Sequence, residues 1–437
     1  MSCNLRPFVL LPPMLATTLL WGQANKATIS GLVLDANGNP VADAAVGARN
    51  HDTGLTRETR TNERGFYRFA SIDAGFYDFQ VDASSIGVRV KDVEAHAGGW
   101  VEVNVRIGLS NSNGQVEVDS SAVSVTDSLA THVLPFEVIR DLPIDGRRFQ
   151  DFATLSPTVE AVDASLNELS FLGQRPVYGN VMVDGTDYNE AFQGGIRGGD
   201  RANFAFTVPQ SAVQEFQTIT NGFSAEYGRS TGGVLNAITR SGSNATHAEA
   251  FYQIRNSALS LANPFDLNAL ENQQQFGGAA GGAIQKNRLF WFASAEGQLA
   301  STPRQVQFAE LNSVANSLTP SIVPAYNYFQ SLQRPYTQTN NAFAALARLD
   351  YQISGSSRLT GHFNISRDHA ANAASDGTSW IPETSSALSN NGTEKDFVRT
   401  GVVQWTACPR KDSLHISVLW KALASEFFGA DYATEAK

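Results

Sequence analysis

The sequence predicts a mainly β protein in three blocks: an N-terminal seven-stranded β-sandwich, an α+β middle domain, and about the first seven strands of an incomplete transmembrane antiparallel β-barrel. Three observations carry this. Short β patterns recur at roughly ten-residue spacing between turn signals over residues 27–109. Longer alternating strands begin near Thr246, and their connections alternate strictly between tight and long. Composition agrees with a folded chain: 437 residues exceed one ordinary domain, with 42% hydrophobic and 17% charged residues. The mean hydropathy of −0.20 and the lack of any apolar run long enough for a spanning helix leave a barrel as the membrane option, because a barrel hides its hydrophobicity in alternate residues. The net charge is −10, and no Lys/Arg cluster offsets it, so nucleic acid is not an expected partner.

Residues 1–24 read as an export signal. Arg6 precedes an apolar stretch from Pro7 to Trp21, and Gly22-Gln23-Ala24 supplies small residues at −3 and −1 of a cut after Ala24. Pro12-Pro13 breaks that stretch, which is too short to span a membrane as a helix. Cys3 lies before the apolar run, which excludes a lipoprotein signal. Its removal leaves Cys408 alone, so no intramolecular disulfide is expected, and Cys408 reads as a small buried hydrophobe on a strand.

The first block, residues 25–110, places strands at 28–34, 41–48, 56–61, 65–70, 75–83, 87–95 and 100–107. Asn37-Gly38 is read as a two-residue hairpin turn, with both central positions at positive φ. Ile29-Ser30-Gly31-Leu32-Val33, Thr61-Asn62-Glu63-Arg64-Gly65-Phe66-Tyr67-Arg68-Phe69 and Ala74-Gly75-Phe76-Tyr77 resemble the carboxypeptidase regulatory-like domain. The residues do not support zinc catalysis, which needs three protein ligands and a general acid/base in one site. The block holds only His51 and His96, both expected at solvent-facing strand ends. It reads as a binding or spacer module.

In the second block, residues 111–243, Val138-Ile139-Arg140-Asp141-Leu142-Pro143-Ile144-Asp145-Gly146-Arg147-Arg148-Phe149 is followed by Leu155-Ser156-Pro157, then Phe171-Leu172-Gly173-Gln174-Arg175 and Val181-Met182-Val183-Asp184-Gly185-Thr186-Asp187-Tyr188-Asn189. Next comes Val208-Pro209-Gln210-Ser211-Ala212-Val213-Gln214-Glu215-Phe216-Gln217, and after it Ala225-Glu226-Tyr227-Gly228-Arg229-Ser230-Thr231-Gly232-Gly233-Val234-Leu235-Asn236. In this order the motifs resemble the plug domain of TonB-dependent outer-membrane receptors of the Oar-like branch. Asp184-Gly185 between β-branched residues predicts a type I′ hairpin turn. Residues 208–221 suit a short helix leading into a strand on the plug sheet. Gly228, Gly232 and Gly233 are expected to pack closely against a barrel wall, since no Gly-Lys-[Ser/Thr] follows to make a phosphate cradle. Asp184, Asp187, Asn189 and Glu190 miss the spacing of a calcium loop and read as turn formers and solvated carboxylates. Gly228-Arg229-Ser230-Thr231-Gly232 matches Gly-x-Ser-x-Gly, but no apolar strand precedes Ser230 and Gly232-Gly233 is a poor helix start. No catalytic, cofactor-binding or metal residue is assigned.

The third block, residues 244–437, holds the alternating strands. Phe343, Ala345, Ala347, Leu349, Tyr351 and Ile353 oppose Arg348, Asp350 and Gln352; Leu359, Phe363 and Ile365 oppose Arg358, Thr360, His362 and Asn364. With 246–255, 274–284, 288–298, 397–408 and 414–420 this makes seven strands of about ten residues, the length of a tilted membrane strand. The tight connections are 285–287, 354–356 and 409–411; the long ones are 256–273, 299–341 and 368–395. Phe276-Gly277-Gly278 through Lys286-Asn287-Arg288-Leu289-Phe290-Trp291-Phe292 resembles the first barrel hairpins of the same receptors, which usually have Pro where Ala283 stands.

The resemblance implies a TonB-dependent receptor, with ligand uptake gated by the plug and energised through TonB. Its other partners would be outer-membrane lipid and an external ligand (siderophore, saccharide, peptide or similar). Residues 115–120 are a weak candidate for the TonB-contacting segment. Seven strands fall short of the 22 or so that surround a plug, so the chain reads as the N-terminal part of a receptor, truncated within its barrel. The other reading is a periplasmic or surface binding module whose partial barrel does not insert.

Overall fold

The computed structural model describes residues 26–83, 86–107, 123–124, 131–142, 147–163, 168–189, 207–221, 227–259, 272–315, 317–373, 383–384, 386–407 and 414–428. The export segment, residues 115–120, Glu190, Cys408 and the 409–411 turn lie outside them.

The first block is a two-sheet sandwich. Its strands are β1 (Ala27–Asp35), β2 (Ala45–Asn50), β3 (Thr56–Arg60), β4 (Phe66–Ile72), β5 (Gly75–Ala83), β6 (Ile86–Ala95), β7 (Trp100–Glu102) and β8 (Val105–Ile107). One sheet runs β3-β2-β5-β6; the other centres on β1, flanked by β4 and by β7 and β8, which run parallel to it. Alternating inward residues fill the core, among them Ile29, Val33, Val46, Tyr67, Phe69, Phe79 and Val81, with Tyr67, Phe69 and Phe79 meeting edge-on or tilted.

Two expectations need correction here. The strand foreseen at 100–107 is broken into β7 and β8, giving eight strands rather than seven. At the break the Val103 N–H donates to the Ser30 carbonyl, Tyr67 Oη–H donates to the Val103 carbonyl, and the Asn104 side chain accepts the Leu32 N–H. Side chains thus replace a stretch of ladder. Asn37-Gly38 is not a type I′ hairpin: only Gly38 has positive φ, at 85°. Asp35 Oδ1 accepts the N–H groups of Asn37 and Asn39, an Asx arrangement that outcompetes the hairpin, and β2 begins only at Ala45.

β9 (Val123–Ser124) pairs with β7 and so joins the sandwich, not the plug. The plug follows. β10 (Thr131–Pro135) and α1 (Phe136–Asp141) lead into a small hairpin, β11 (Val159–Asp163) and β12 (Glu168–Phe171); then come β13 (Gly179–Val183), β14 (Thr186–Asp187), β15 (Val213–Ile219) and β16 (Gly233–Thr239). The main sheet has order β10-β15-β16-β13-β14, with β13 and β16 parallel. β16 is buried along its whole length, as expected of a strand covered on both faces. A single turn of 3₁₀ helix at Gln210–Ala212 precedes β15, so the helix-to-strand reading holds. Asp184 and Gly185 have φ of 49° and 73°, the two positive values a type I′ turn requires.

The third block is one antiparallel sheet. Its long strands are β17 (His247–Arg255), β18 (Asn272–Gln285), β19 (Leu289–Val306), β20 (Tyr336–Ser354), β21 (Ser357–Ala373), β23 (Gly392–Ala407) and β24 (Leu414–Phe428); the short β22 (Glu383–Thr384) pairs with β19. All seven foreseen strands form, in the foreseen order. They are longer than ten residues from β18 onward, up to 19 in β20, because the ladder continues past the apolar belt where both faces are polar. Two short helices, α2 (Ala309–Val314) and α3 (Val323–Leu332), occupy the long β19–β20 connection. Among the described residues β17 and β24 are not paired to each other, so the wall is partial and open.

Its polarity is inside-out. Leu349 is 52% exposed, whereas its neighbours Arg348 and Asp350 are 8% and 1% exposed. Phe343, Phe363, Val403 and Trp405 face outward; Glu296, Arg358, His362, Asn364 and Gln404 face in. The plug core, built on Ile139, Phe152, Phe171, Phe216 and Leu235, runs on into the wall through Ala279, Phe292 and Leu346.

Gly31 permits the sandwich's closest approach, since a Cβ there would lie 1.8 Å from the Val103 carbonyl oxygen. Gly31→Ala is expected to cost roughly 2–3 kcal/mol by overpacking. Hydrogen exchange of the β1 and β4 amides in the full chain should rise while the plug amides stay protected; unchanged β1 exchange would refute the argument.

Candidate functional site

Two clusters of charged groups lie on the seam where plug meets wall. At one cluster Arg147, next to the plug's first 3₁₀ turn, reaches Glu296 of β19 through both Nε and an Nη, each at 3.1 Å. The same carboxylate accepts the Ser211 N–H at 2.8 Å and Ser211 Oγ–H at 2.6 Å. Arg147 also lies 3.8 Å over the Phe251 ring of β17. Beside it Arg240, directly after β16, pairs with Glu249 of β17 at 2.6 Å and covers Phe136 at 4.1 Å. Bidentate and ring-stacked geometry is what guanidinium does and ammonium cannot.

The second cluster is built on the Asp184-Gly185 turn. Asp184 accepts the Thr239 N–H at 2.9 Å and Thr239 Oγ–H at 2.6 Å. His362 Nδ1 of β21 lies 3.0 Å from it, and Arg348 of β20 at 3.8 Å. Arg348 forks onto Asp350 and also donates to the Thr239 carbonyl at 2.7 Å. Asp350 in turn pairs with Arg358 at 2.9 Å and accepts from Thr360. Arg358 closes on Asp73 of the sandwich, which Lys26 also holds at 2.5 Å. An unbroken chain of alternating charges therefore runs from sandwich through wall to plug.

Burial alone would raise the Asp184 carboxyl, but His362 and the Arg348 guanidinium outweigh it and hold the group down at about 2. Asp73 is likewise lowered to about 2: burial opposes it, and Arg358 and Lys26 prevail.

Several expected site residues sit elsewhere than foreseen. Asp184 is buried, 2% exposed, and ion-paired, not solvated. Asn189 is also buried; it accepts the Val181 N–H at 2.9 Å and bonds Asn180. Asp187 pairs with Arg229 at 2.5 Å. Gly232 and Gly233 pack closely, but against the plug's own Gln174 and Phe171, where a Cβ on Gly233 would come within 2.6 Å; a Cβ on Gly228 would meet no described atom within 4 Å. The glycine that meets the wall is Gly242, under the carbonyls of Trp291 and Gly282. Ser230 Oγ accepts the Gly233 N–H at 2.9 Å and lies 2.6 Å from the Gly233 carbonyl, closing a turn. That use of the hydroxyl is structural.

His96 is not merely a strand end. Its Nδ1 lies 3.3 Å from Glu215 of β15, whose other oxygen accepts the Ala97 N–H at 2.8 Å. Gln217 donates to the Ala97 carbonyl, so the sandwich is docked on the edge of the plug. Asn244 fastens a second point, donating to the carbonyls of Asp52 and Thr53. His51 is exposed and bonds Asp78 at 2.8 Å, and that bond holds the Asp78 carboxyl below its usual range. With Asp92 these side chains form a group of possible metal ligands within 4.8 Å of one another.

Sequence reading places Arg348, Asp350, Arg358 and His362 on the polar faces of strands but assigns them no partners, and it does not single out Lys26, Asp73 or Glu296. The available signal was charge at inward, period-two positions of strands whose other face is apolar.

Residues 28–108 match the family model described as the carboxypeptidase regulatory-like domain, and residues 238–315 match that of an outer membrane beta barrel domain. Over 309 residues the chain is 28% identical to the TonB-dependent transporter Oar of Myxococcus xanthus, covering 64% of this chain and 28% of that protein. The chain thus spans less than a third of the curated relative it matches. Among known structures it is similar to the outer membrane transporter YddB from Escherichia coli, at a TM-score of 0.49 and 11% identity over 68% of this chain and 39% of the other. It is also similar to the siderophore receptor PirA from Acinetobacter baumannii, at 0.47 and 15% over 68% and 40%.

Asp184 gives a pH test. Its carboxyl is lower in the fold than in the unfolded chain, near 4, so its stabilisation is complete above about pH 4 and is lost as pH falls through about 2. Asp184→Asn is expected to cost roughly 3 kcal/mol at neutral pH by leaving its cationic partners short of a counter-charge. It should also flatten that acid limb in a urea or protease-resistance profile of the plug. A variant profile that parallels the parent from pH 5 to pH 2 would rule the latch out.

Proposed function

Taking homology to a TonB-dependent transporter as the premise, we propose that this chain carries the sandwich, plug and first wall strands of a TonB-dependent outer-membrane receptor. The observation that carries the reading is the inside-out wall: apolar residues face outward, and an α+β plug packs on and bonds to the polar inner face. A sheet of this polarity suits lipid outside and a polar lumen inside. Its place is the outer membrane, in keeping with the transporter and barrel relatives. We assign residues 1–24 to an export signal, 25–110 together with β9 to the sandwich, the rest of 111–243 to the plug and 244–437 to the wall.

In the proposed mechanism an external ligand binds plug and loops, and TonB pulls on the plug from the periplasmic side. No bond in the ligand is made or broken. What this chain's residues do is hold and release. Arg147–Glu296, Arg240–Glu249 and Asp184 with Arg348 keep the plug seated. Each of these groups is charged, so water entering the lumen can solvate both halves of a broken pair. Release then exposes little apolar surface, and the seated state can be regained. A siderophore, saccharide or peptide would serve as ligand, and its choice belongs to the long loops.

The test is fractionation of the exported full chain, with protease applied to intact cells. Recovery in the outer-membrane fraction, with cleavage confined to the β19–β20 connection and its neighbours, is the expected result. Recovery in the soluble periplasmic fraction would replace the receptor with a periplasmic binding module.

A further inference from the structure

A cleft of about 400 Å³ lies between the sandwich and the short-turn rim of the wall. Lys26, Arg57 and Asp73 line it from the sandwich; Lys286, Arg288 and Arg358 line it from the wall. Five cations face one carboxylate, and that carboxylate is already held by Lys26 and Arg358. Among the described residues Arg57 donates to the carbonyls of Ala70 and Ser71, and Arg288 donates to Tyr351 Oη at 3.1 Å. Neither bond neutralises its cation.

Two buried groups on the cleft wall are also unsatisfied. Ser71, 6% exposed, carries a hydroxyl with no hydrogen-bond partner among the described residues, and Arg358, 7% exposed, an Nε–H with none. Leaving such groups unpaired costs on the order of 1–3 kcal/mol each.

From this we infer that the cleft is a phosphate-group site, formed jointly by sandwich and wall. Arg and Lys together with a hydroxyl are the donors that recognise a tetrahedral oxyanion. The position favours a phospholipid headgroup. The turns that carry Lys286 and Arg288 and that precede Arg358 adjoin strand ends whose outward-facing residues include Leu289, Trp291 and Tyr351, and aromatic residues in that setting mark the interface of a membrane strand. The cleft therefore opens at the level of the inner-leaflet headgroups. This leaflet assignment rests on the receptor reading above; the anion chemistry does not. A bound headgroup would hold the sandwich to the wall alongside the Asp73–Arg358 pair.

The experiment uses the full chain in detergent, with phosphatidylglycerol and inorganic phosphate titrated separately and read by native mass spectrometry and ³¹P NMR. Saturable lipid binding is expected, weakened at least tenfold in Lys286→Gln/Arg288→Gln and retained in Lys286→Arg/Arg288→Lys. The charge-conserving pair separates lost charge from lost fold. The same pattern with inorganic phosphate alone would sustain the site and assign it to a free anion. Binding of neither probe, or equal binding by parent and Gln pair, would overturn it. Recovery of the chain in a soluble fraction would end the receptor reading, while the inorganic phosphate arm would still decide the site.

Discussion

Lipid offers a protein no hydrogen bonds, and the architecture follows from that constraint. Every backbone N–H and C=O in the spanning region must be paired within the protein, which the long antiparallel ladders do between neighbouring strands from β17 to β24, the outer edges of those two strands excepted among the described residues. Once the outward face is given to apolar side chains, period two sends the alternate residues inward. They include Glu296, Arg348, Asp350, Arg358, His362 and Gln404, and their burial is tolerable only if partners fill the lumen. The plug is that partner. Arg147, Ser211, Asp184 and Thr239 are placed where the wall's buried charges and polar groups need them.

The two kinds of contact on the plug surface divide the work. Phe292, Leu346 and Ala279 of the wall merge with the plug's apolar core, a contact that water weakens by exposing surface. The charged contacts behave differently, because hydration compensates each separated ion. A seam rich in charge is firm while dry and separable once wet. The chain of pairs from Lys26 to Asp184 adds a mechanical consequence. The sandwich is tied through Arg358 and Asp350 to the group that seats the plug hairpin, so moving the sandwich perturbs the counter-charges of Asp184 without touching it directly.

Local features were the legible ones. Asp184-Gly185 formed the expected turn because two successive positive φ values are a property of those residues alone. The seven wall strands were read correctly because alternation needs no knowledge of neighbours. Their lengths were underestimated where both faces turn polar, as in residues 336–342 at the start of β20. Asn37-Gly38 misled because the competing acceptor, the Asp35 carboxylate, stands two residues upstream of the pair. Gly233 was assigned to the wrong neighbour: the need for a missing side chain was visible, but Phe171 as its cause was not.

By itself the sequence determined the β character of the chain, the order of the wall strands and the alternation of apolar and polar residues on their two faces. Each of these is a periodicity or turn chemistry written over a few consecutive residues. Only the tertiary structure decided which charges meet. Asp184 could be read as a solvated turn residue until Arg348 and His362 arrived from strands far along the chain. Likewise Asp73 was an unremarked loop carboxylate until Arg358 closed on it. A carboxylate's partner is chosen by the folding of distant segments into one low-dielectric space, and no local pattern encodes that choice.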